Sequence, residues 1–149
     1  MITIDDILSP KHILLDLEAN TQTAAVAQIA ELLRADQRMK DWPQFETGLF
    51  AKNSSVEASE VCIAHVRTNA VSAMVMAVGR LQEAISAEDG ASIRLIFVIG
   101  IPQAFASDYL RIIGAMARIF RSETGKAALL NAPTAEEFRK VLCTMEMDL

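Results

Sequence analysis

The apolar segment 93–101 constrains the fold more strongly than any other part of this 149-residue chain. Apart from Arg94 it contains only apolar residues and a glycine, and Pro102 follows it. A strand without alternation of polar and apolar side chains is typical of a sheet that is covered on both faces. The segment therefore predicts a strand buried on both faces in an α/β fold, and the sequence leaves the order of the strands open.

Other segments carry the signals of further strands and helices. Strands are predicted at Ile13–Leu17, 61–67 and 71–78, the last ended by Gly79, and Asp89-Gly90 is typical of a turn. Helices are predicted from 20–23 to about Arg34, from 41–43 onward, from Ser107 or Asp108 onward, over 124–130, and after a capping box at 134–137. This mixture predicts a three-layer α/β sandwich, a mixed central β-sheet flanked by helices, formed by a single domain over residues 1–149.

The composition and the apolar pattern indicate which binding partners and which cellular compartment to expect. Hydrophobic residues make up 52% of the chain, enough for a sizeable core without disulfides or metal ions. The formal net charge of −5 argues against nucleic acid as a partner. The N-terminus has no basic signal-peptide region and no apolar run is long enough to span a bilayer. We therefore expect a cytoplasmic protein without membrane insertion.

The chain contains two histidines, and one of them is a candidate for chemistry. His12 lies in a loop before the first strand, and we expect it to be solvated. His65 lies toward the end of an apolar strand, where it and Arg67 project from the same face if the strand is regular. A neutral imidazole is a nucleophile, and an arginine fork suits phosphate oxygens. The two residues fit phosphoryl transfer, and they also fit a structural pair at a strand end.

The pattern around His65 extends beyond this pair. Its successive parts are Ser54-Ser55, Val61-Cys62-Ile63-Ala64-His65, the Asp89-Gly90 turn before an apolar strand that ends at Pro102, and a helix opening with Asp108-Tyr109-Leu110. In this order of elements and in its apolar pattern, nearly the whole chain resembles the type 2 IIA domains of the bacterial sugar phosphotransferase system. This mannitol/fructose class includes nitrogen-regulatory IIA-like proteins. The resemblance implies that His65 is the phospho-accepting histidine.

The loop before His65 departs from the family pattern. The family has a glycine-rich loop there, which lets backbone N–H groups approach a phosphoryl group. This chain has no glycine between Gly48 and Gly79, and Glu57 and Glu60 bring negative charge instead. Ala64 stands in the place of the family's proline. The active-site motif is therefore degenerate.

Two further positions lack the family's charged groups. The family's arginine-glutamate pair falls on Leu49-Phe50, and Lys52 is the nearest base. Tyr109 occupies the place of the family's second histidine. A tyrosine hydroxyl can donate one hydrogen bond but carries no positive charge. Tyr109 also lies on the apolar stripe of its helix, so it fits a core position as well.

The resemblance implies a phosphocarrier, an activity of the phosphotransferase type. His65 would accept a phosphoryl group from a histidine phosphocarrier protein and pass it to a IIB-like domain, in sugar uptake or its regulation. Arg67 would steady the transferred oxygens, and Tyr109 would donate a hydrogen bond. No metal or other cofactor is expected, because protein charges and dipoles can supply the stabilisation.

The departures support an alternative of another class. The chain would then be a phosphorylation-silent, degenerate IIA-like module that acts by binding a protein partner. An exposed His65 beside free backbone N–H groups would favour the carrier. A carboxylate of Glu57 or Glu60 bonded to His65 or Arg67 would favour the binding module.

The sequence also allows expectations about the two cysteines and about the oligomeric state. Cys62 and Cys143 lie in apolar surroundings and outside any metal-binding spacing, so we expect buried, reduced thiols. Thiol catalysis is the weakest hypothesis, because Cys62 and His65 point to opposite faces of a regular strand. The apolar, methionine-rich composition leaves a homodimer open.

Overall fold

A five-stranded mixed β-sheet organises the computed structural model, which describes residues 2–51, 55–87, 89–104 and 106–148. The strands are β1 (Ile13–Leu17), β2 (Ser55–Ala58), β3 (Glu60–Arg67), β4 (Val75–Ser86) and β5 (Ser92–Ile101), in the order β1-β4-β5-β3-β2. β1 runs parallel to β4, and β3 runs parallel to β5. The β4–β5 and β2–β3 pairs are antiparallel. The segment predicted as a strand buried on both faces is β5, and the structure places it in the middle of the sheet.

Helices cover the sheet on both faces. They are α1 (Ile4–Ile7), α2 (Gln22–Glu31), α3 (Trp42–Phe50), α4 (Ala106–Arg121), α5 (Glu123–Asn131) and α6 (Ala135–Met147), with a 3₁₀ turn at Pro10–His12. Thr21, Asp41 and Thr134 cap helix starts, as the sequence suggests, and Ser122 is a further cap, at the start of α5, that was not predicted. Each cap accepts a hydrogen bond from a backbone N–H in the first turn and so fixes where its helix begins.

Two hydrophobic clusters lie on opposite faces of the sheet. One joins alternate residues of β3 and β5, such as Ile63 and Phe97, to α1, α4 and α6. The other joins the intervening residues, such as Ala64 and Val98, to α2 and α3. The predicted three-layer α/β sandwich with a mixed central sheet is therefore confirmed. The alternation of inward and outward side chains along each strand builds both layers at once.

The strand predicted at 71–78 is wrong in its bounds. Strand β4 begins at Val75, passes through Gly79 and continues to Ser86. Val71 instead bridges Met39 in the α2–α3 connection, and Ser72 N donates to the carbonyl of Arg38 over 2.9 Å. Gly79 does not end the strand. A Cβ there would lie 2.5 Å from Cδ1 of Ile29, so the glycine admits α2 against the sheet.

Short elements escaped the sequence prediction. Helix α1, the 3₁₀ turn and the edge strand β2 are too short to show a hydrophobic period. Helix α4 begins at Ala106, ahead of the predicted cap at Ser107 or Asp108, within the usual uncertainty of helix ends. Gly90 in the predicted Asp89-Gly90 turn has φ 86°, the left-handed backbone that favours glycine.

Across the part of the chain that the structure describes, none of the helices is both long and apolar enough to cross a membrane.

Candidate functional site

His65 lies near the carboxyl end of β3, opposite Ile99 of the parallel strand β5. Its neighbours along the same face, Val61 and Ile63, pack in the cluster that contains α4. The residue is half-buried, whereas the strand before it is almost fully buried. The apolar strand thus holds the backbone of His65 rigidly, while its imidazole lies where the sheet meets the helix layer.

Tyr109, in the first turn of α4, contacts His65 directly. The two ring centroids lie 5.1 Å apart, and the ring planes are tilted by 32°. This distance is within the range of attractive aromatic pairs. The contact arises because β5 runs parallel to β3 and delivers the chain to α4 at the edge where β3 ends. The structure therefore brings together His65 and Tyr109, two residues that are far apart in sequence.

Arg67 is the last residue of β3, and its side chain is exposed. Its Nη2 donates to the carbonyl oxygen of Gln103, just beyond β5, over 3.0 Å. That bond positions the guanidinium at the carboxyl ends of both parallel strands. Among the described residues, Gln103 is the only hydrogen-bond partner of this guanidinium, and its other N–H groups can face an anion. Gln103 was not predicted as a site residue, although its place directly after Pro102 at a strand end was the available signal.

The prediction that His12 is a solvated loop residue is wrong. His12 is 2% exposed, and its Nε2 lies 3.6 Å from Oδ2 of Asp36. Burial lowers the pKa of His12, which outweighs the opposing effect of the Asp36 carboxylate. The 3₁₀ turn that precedes β1 tucks the imidazole inward, and a loop-exposure rule does not detect such a turn. His12 is therefore inaccessible to a phosphoryl donor.

Asp36 is held by the arginine two residues later. Arg38 donates to both carboxylate oxygens from Nε and Nη2, each over 2.9 Å, and these bonds help to lower the pKa of Asp36 to about 2. Arg38 also donates to the carbonyl of Met74 over 3.1 Å. This cluster connects the turn after α2 to the segment that precedes β4.

Of the two acidic residues proposed to distinguish the hypotheses, Glu60 lies away from His65. Glu60 begins β3 opposite Ile93, five residues before His65, which is about 16 Å along a strand at ~3.3 Å per residue. The backbone of Glu57 lies on β2 between Val56 and Ala58, which pair with Cys62 and Val61. The Glu57 side chain, Ser54 and Lys52 lie outside the described parts. Glu60 is therefore too far along the strand to bond the His65 imidazole, and it gives no support to the binding-module alternative.

The cysteines carry no catalytic arrangement. Neither forms a disulfide; Cys62 is buried as expected, while Cys143 is only partly buried. Burial raises the pKa of Cys143, which disfavours the reactive thiolate. Within the described residues, no three or more histidine, cysteine, aspartate or glutamate side chains are grouped to hold a metal ion.

A cavity of about 570 Å³ adjoins Arg67 on the side of α3. We call it the α3 cavity. Its apolar wall is formed by Pro43, Gly48 and Val66. Its polar lining consists of Asp41, Gln44, Thr47, Arg67, Thr68 and Gln103. His65 is not part of this lining, because its ring packs toward α4 on the opposite face of the sheet.

Comparison with known proteins places this arrangement in a family. Residues 6–144 match the model of the phosphoenolpyruvate-dependent sugar phosphotransferase system EIIA 2 family. The chain therefore belongs to this family of type 2 IIA domains, and the resemblance seen in the sequence is confirmed.

Individual relatives agree with this membership. The chain is 24% identical to a nitrogen regulatory protein of Pseudomonas aeruginosa, over 98% of both chains. The crystal structure of nitrogen regulatory protein IIA-Ntr from Neisseria meningitidis superposes with a TM-score of 0.84 at 27% identity, covering 93% of this chain and 98% of the other. An Escherichia coli IIA mannitol domain, solved in complex with phosphorylated IIB mannitol, shares the fold with a TM-score of 0.77 at 14% identity, over 92% and 97% of the two chains.

Proposed function

We propose that this chain is a phosphocarrier that accepts a phosphoryl group on His65 and passes it to a IIB-like domain. The observation that carries the proposal is the contrast between the two histidines. His12 is sealed in the core, whereas His65 is half-buried at the end of β3 in a chain of the EIIA type 2 family. The donor would be a histidine phosphocarrier protein, and the place of action the cytoplasm.

The three predicted site residues would act in different ways. The neutral imidazole of His65 attacks the incoming phosphorus while the bond from phosphorus to the donor's nitrogen breaks. Arg67 steadies the equatorial oxygens through the N–H groups that Gln103 leaves available. The Tyr109 ring contacts the imidazole of His65 and so fixes the orientation of the imidazole plane. The tyrosine hydroxyl alone would not fix this orientation. The reaction needs positioning and charge: the Tyr109 ring would supply the first, and Arg67, which lies two residues after His65, would supply the second.

A IIB-like acceptor and a regulatory setting have separate support. A structural relative was solved with phosphorylated IIB mannitol, which supports a IIB-like domain as the receiver. Two relatives are nitrogen regulatory proteins, which supports a role in regulation. The alternative of a phosphorylation-silent binding module rested on the missing glycines, the lost second histidine and the two glutamates. Of these glutamates, Glu60 lies at the other end of the strand from His65.

Intact-mass analysis after incubation with phosphoenolpyruvate, enzyme I and the histidine phosphocarrier protein tests the proposal. We expect an acid-labile phosphoryl adduct on the parent chain and on His12→Asn, and none on His65→Ala. A known IIA domain run in parallel shows that the partner proteins are active. An unmodified parent chain beside a modified known domain, with partner proteins from more than one source, would favour the binding module.

A further inference from the structure

The α3 cavity lies where a ligand site is expected in an α/β fold. It opens at the carboxyl ends of the adjacent parallel strands β3 and β5, against the first turns of α3. Ligands of open α/β sheets bind in crevices at this edge. Its volume of about 570 Å³ is in the range of small-molecule sites. The phosphoryl acceptor His65 lies outside it, so the cavity has no role in the proposed transfer by itself.

The lining carries one group of each charge. The Arg67 guanidinium is held by the Gln103 carbonyl, which fixes its direction and leaves part of its fork available. The Asp41 carboxylate accepts from Gln44 N over 3.1 Å and is likewise fixed, because it caps α3. Among the ion pairs of the described residues, none joins these two side chains. A ligand that lies between them meets an anion-binding and a cation-binding group.

Neutral hydrogen-bonding groups fill the rest of the polar lining. Gln44 and Gln103 contribute amides, and Thr47 and Thr68 contribute hydroxyls. Thr68 is 5% exposed, so its part of the cavity is the least hydrated. Val66 and Gly48 form an apolar wall beside it. This distribution suits a compact molecule with two opposite charges and a small polar side group.

We propose that the α3 cavity binds a free α-amino acid with a polar side chain, as a regulatory ligand. Its carboxylate pairs with Arg67, and its ammonium pairs with Asp41. Under the proposed function, on which this step rests, a bound ligand occupies the guanidinium that would steady the phosphoryl group. Binding therefore slows phosphorylation of His65 and couples the carrier to the supply of the ligand.

Thermal unfolding of the unphosphorylated chain with each common L-α-amino acid at millimolar concentration tests binding first. We expect one or a few polar amino acids to raise Tm, and titration calorimetry to give a dissociation constant for the strongest. Its N-acetyl and carboxamide derivatives, which each lack one charge, should bind about tenfold more weakly or worse. Binding should persist in His65→Ala, which separates this inference from the phosphocarrier proposal.

Two variants assign the binding to the cavity. Asp41→Asn removes the negative charge but keeps a residue that caps helices equally well, and Arg67→Gln removes the positive charge. Each should weaken binding about tenfold or more, whereas the exposed changes Arg118→Gln and Glu136→Gln should leave it unchanged. If no amino acid raises Tm, or if both cavity variants bind as the parent does, the proposal is wrong.

Discussion

At the scale of single residues, environment decides which of the two histidines can act. His12 is enclosed beside Asp36, and its Nδ1 has no hydrogen-bond partner among the described residues. His65 is half-buried at a strand end, and its ring contacts the tilted ring of Tyr109. The same side chain is thus a structural group in one place and a candidate nucleophile in the other.

Burial of His12 predicts a loss of stability in mild acid. Because its pKa is lowered in the folded protein, the unfolded chain takes up the proton first as pH falls below the ordinary value of about 6.5. The contribution is fully present above that pH and is lost toward the lower folded pKa, by at most ~1.4 kcal/mol per pH unit. Asp36 opposes the shift, while Arg38 and Lys11 reinforce it.

Urea unfolding between pH 7.5 and pH 5, in steps of about half a unit, measures this slope. His12→Asn should be less stable at neutral pH but should lose less stability on acidification. The exposed change Arg118→Gln, which removes no histidine, is the control and should keep the parent slope below pH 6.5. Identical slopes in the parent and in His12→Asn would show that His12 is not the responsible group.

The Tyr109 ring predicts a graded effect on phosphoryl transfer. Tyr109→Phe keeps the ring contact with His65 and should phosphorylate within about twofold of the parent rate. Tyr109→Leu removes the ring and should slow transfer by about three- to tenfold, mainly through kcat, with little change in KM for the donor protein. A rate lost equally in both variants would assign the role to the hydroxyl instead.

At the scale of elements, a few close contacts determine how the helices pack against the sheet. Gly79 admits Ile29 of α2, and Gly100 admits Phe45 of α3, whose ring would lie 2.8 Å from an added Cβ. On the other face, Arg80 donates to the carbonyls of Leu129 and Ala132, over 2.9 and 2.8 Å, at the end of α5. The position of each layer therefore depends on a few residues of the central strands.

A methyl group at Gly79 should push α2 from the sheet. Gly79→Ala places its Cβ 2.5 Å from Cδ1 and 2.6 Å from Cγ1 of Ile29, and we expect a loss of about 1–3 kcal/mol in urea unfolding. Adding Ile29→Ala should restore part of that loss. Gly114→Ala in α4 meets nothing within 4 Å and should be neutral or stabilising. Equal effects at the two glycines would contradict the packing explanation.

Loss of the Arg80 guanidinium should detach the end of α5. Arg80 is 9% exposed, so Arg80→Leu leaves two carbonyls without their donor in a poorly hydrated place. We expect about 2–4 kcal/mol of destabilisation in denaturant unfolding, and faster amide hydrogen exchange near residues 129–132. The exposed change Arg118→Gln controls for loss of charge alone and should alter stability by less than about 0.5 kcal/mol.

At the scale of the whole molecule, both hydrophobic clusters share one sheet, and we propose that the chain is one cooperative domain. Trp42, the single tryptophan, packs against the cluster on the side of α2 and α3. Its fluorescence and the far-UV circular dichroism should give the same denaturation midpoint. Phe45→Ala and Phe138→Ala, in opposite clusters, should each lower both midpoints together. Separated midpoints would show two independent units.

The sequence by itself determined the features that depend on local order. The run 93–101 predicted β5, the caps at Thr21, Asp41 and Thr134 predicted helix starts, and the pattern around His65 predicted the family. Hydrophobic periods and capping residues are properties of neighbouring positions, so a sequence displays them directly.

Only the tertiary structure decided what depends on residues far apart in the chain. The order of the strands, the burial of His12, the passage of β4 through Gly79, and the joint lining of the α3 cavity all arise from contacts between distant segments. The approach of Tyr109 to His65 likewise requires β3 and β5 to lie side by side. Packing brings such residues together through the fold as a whole, and no local pattern records it.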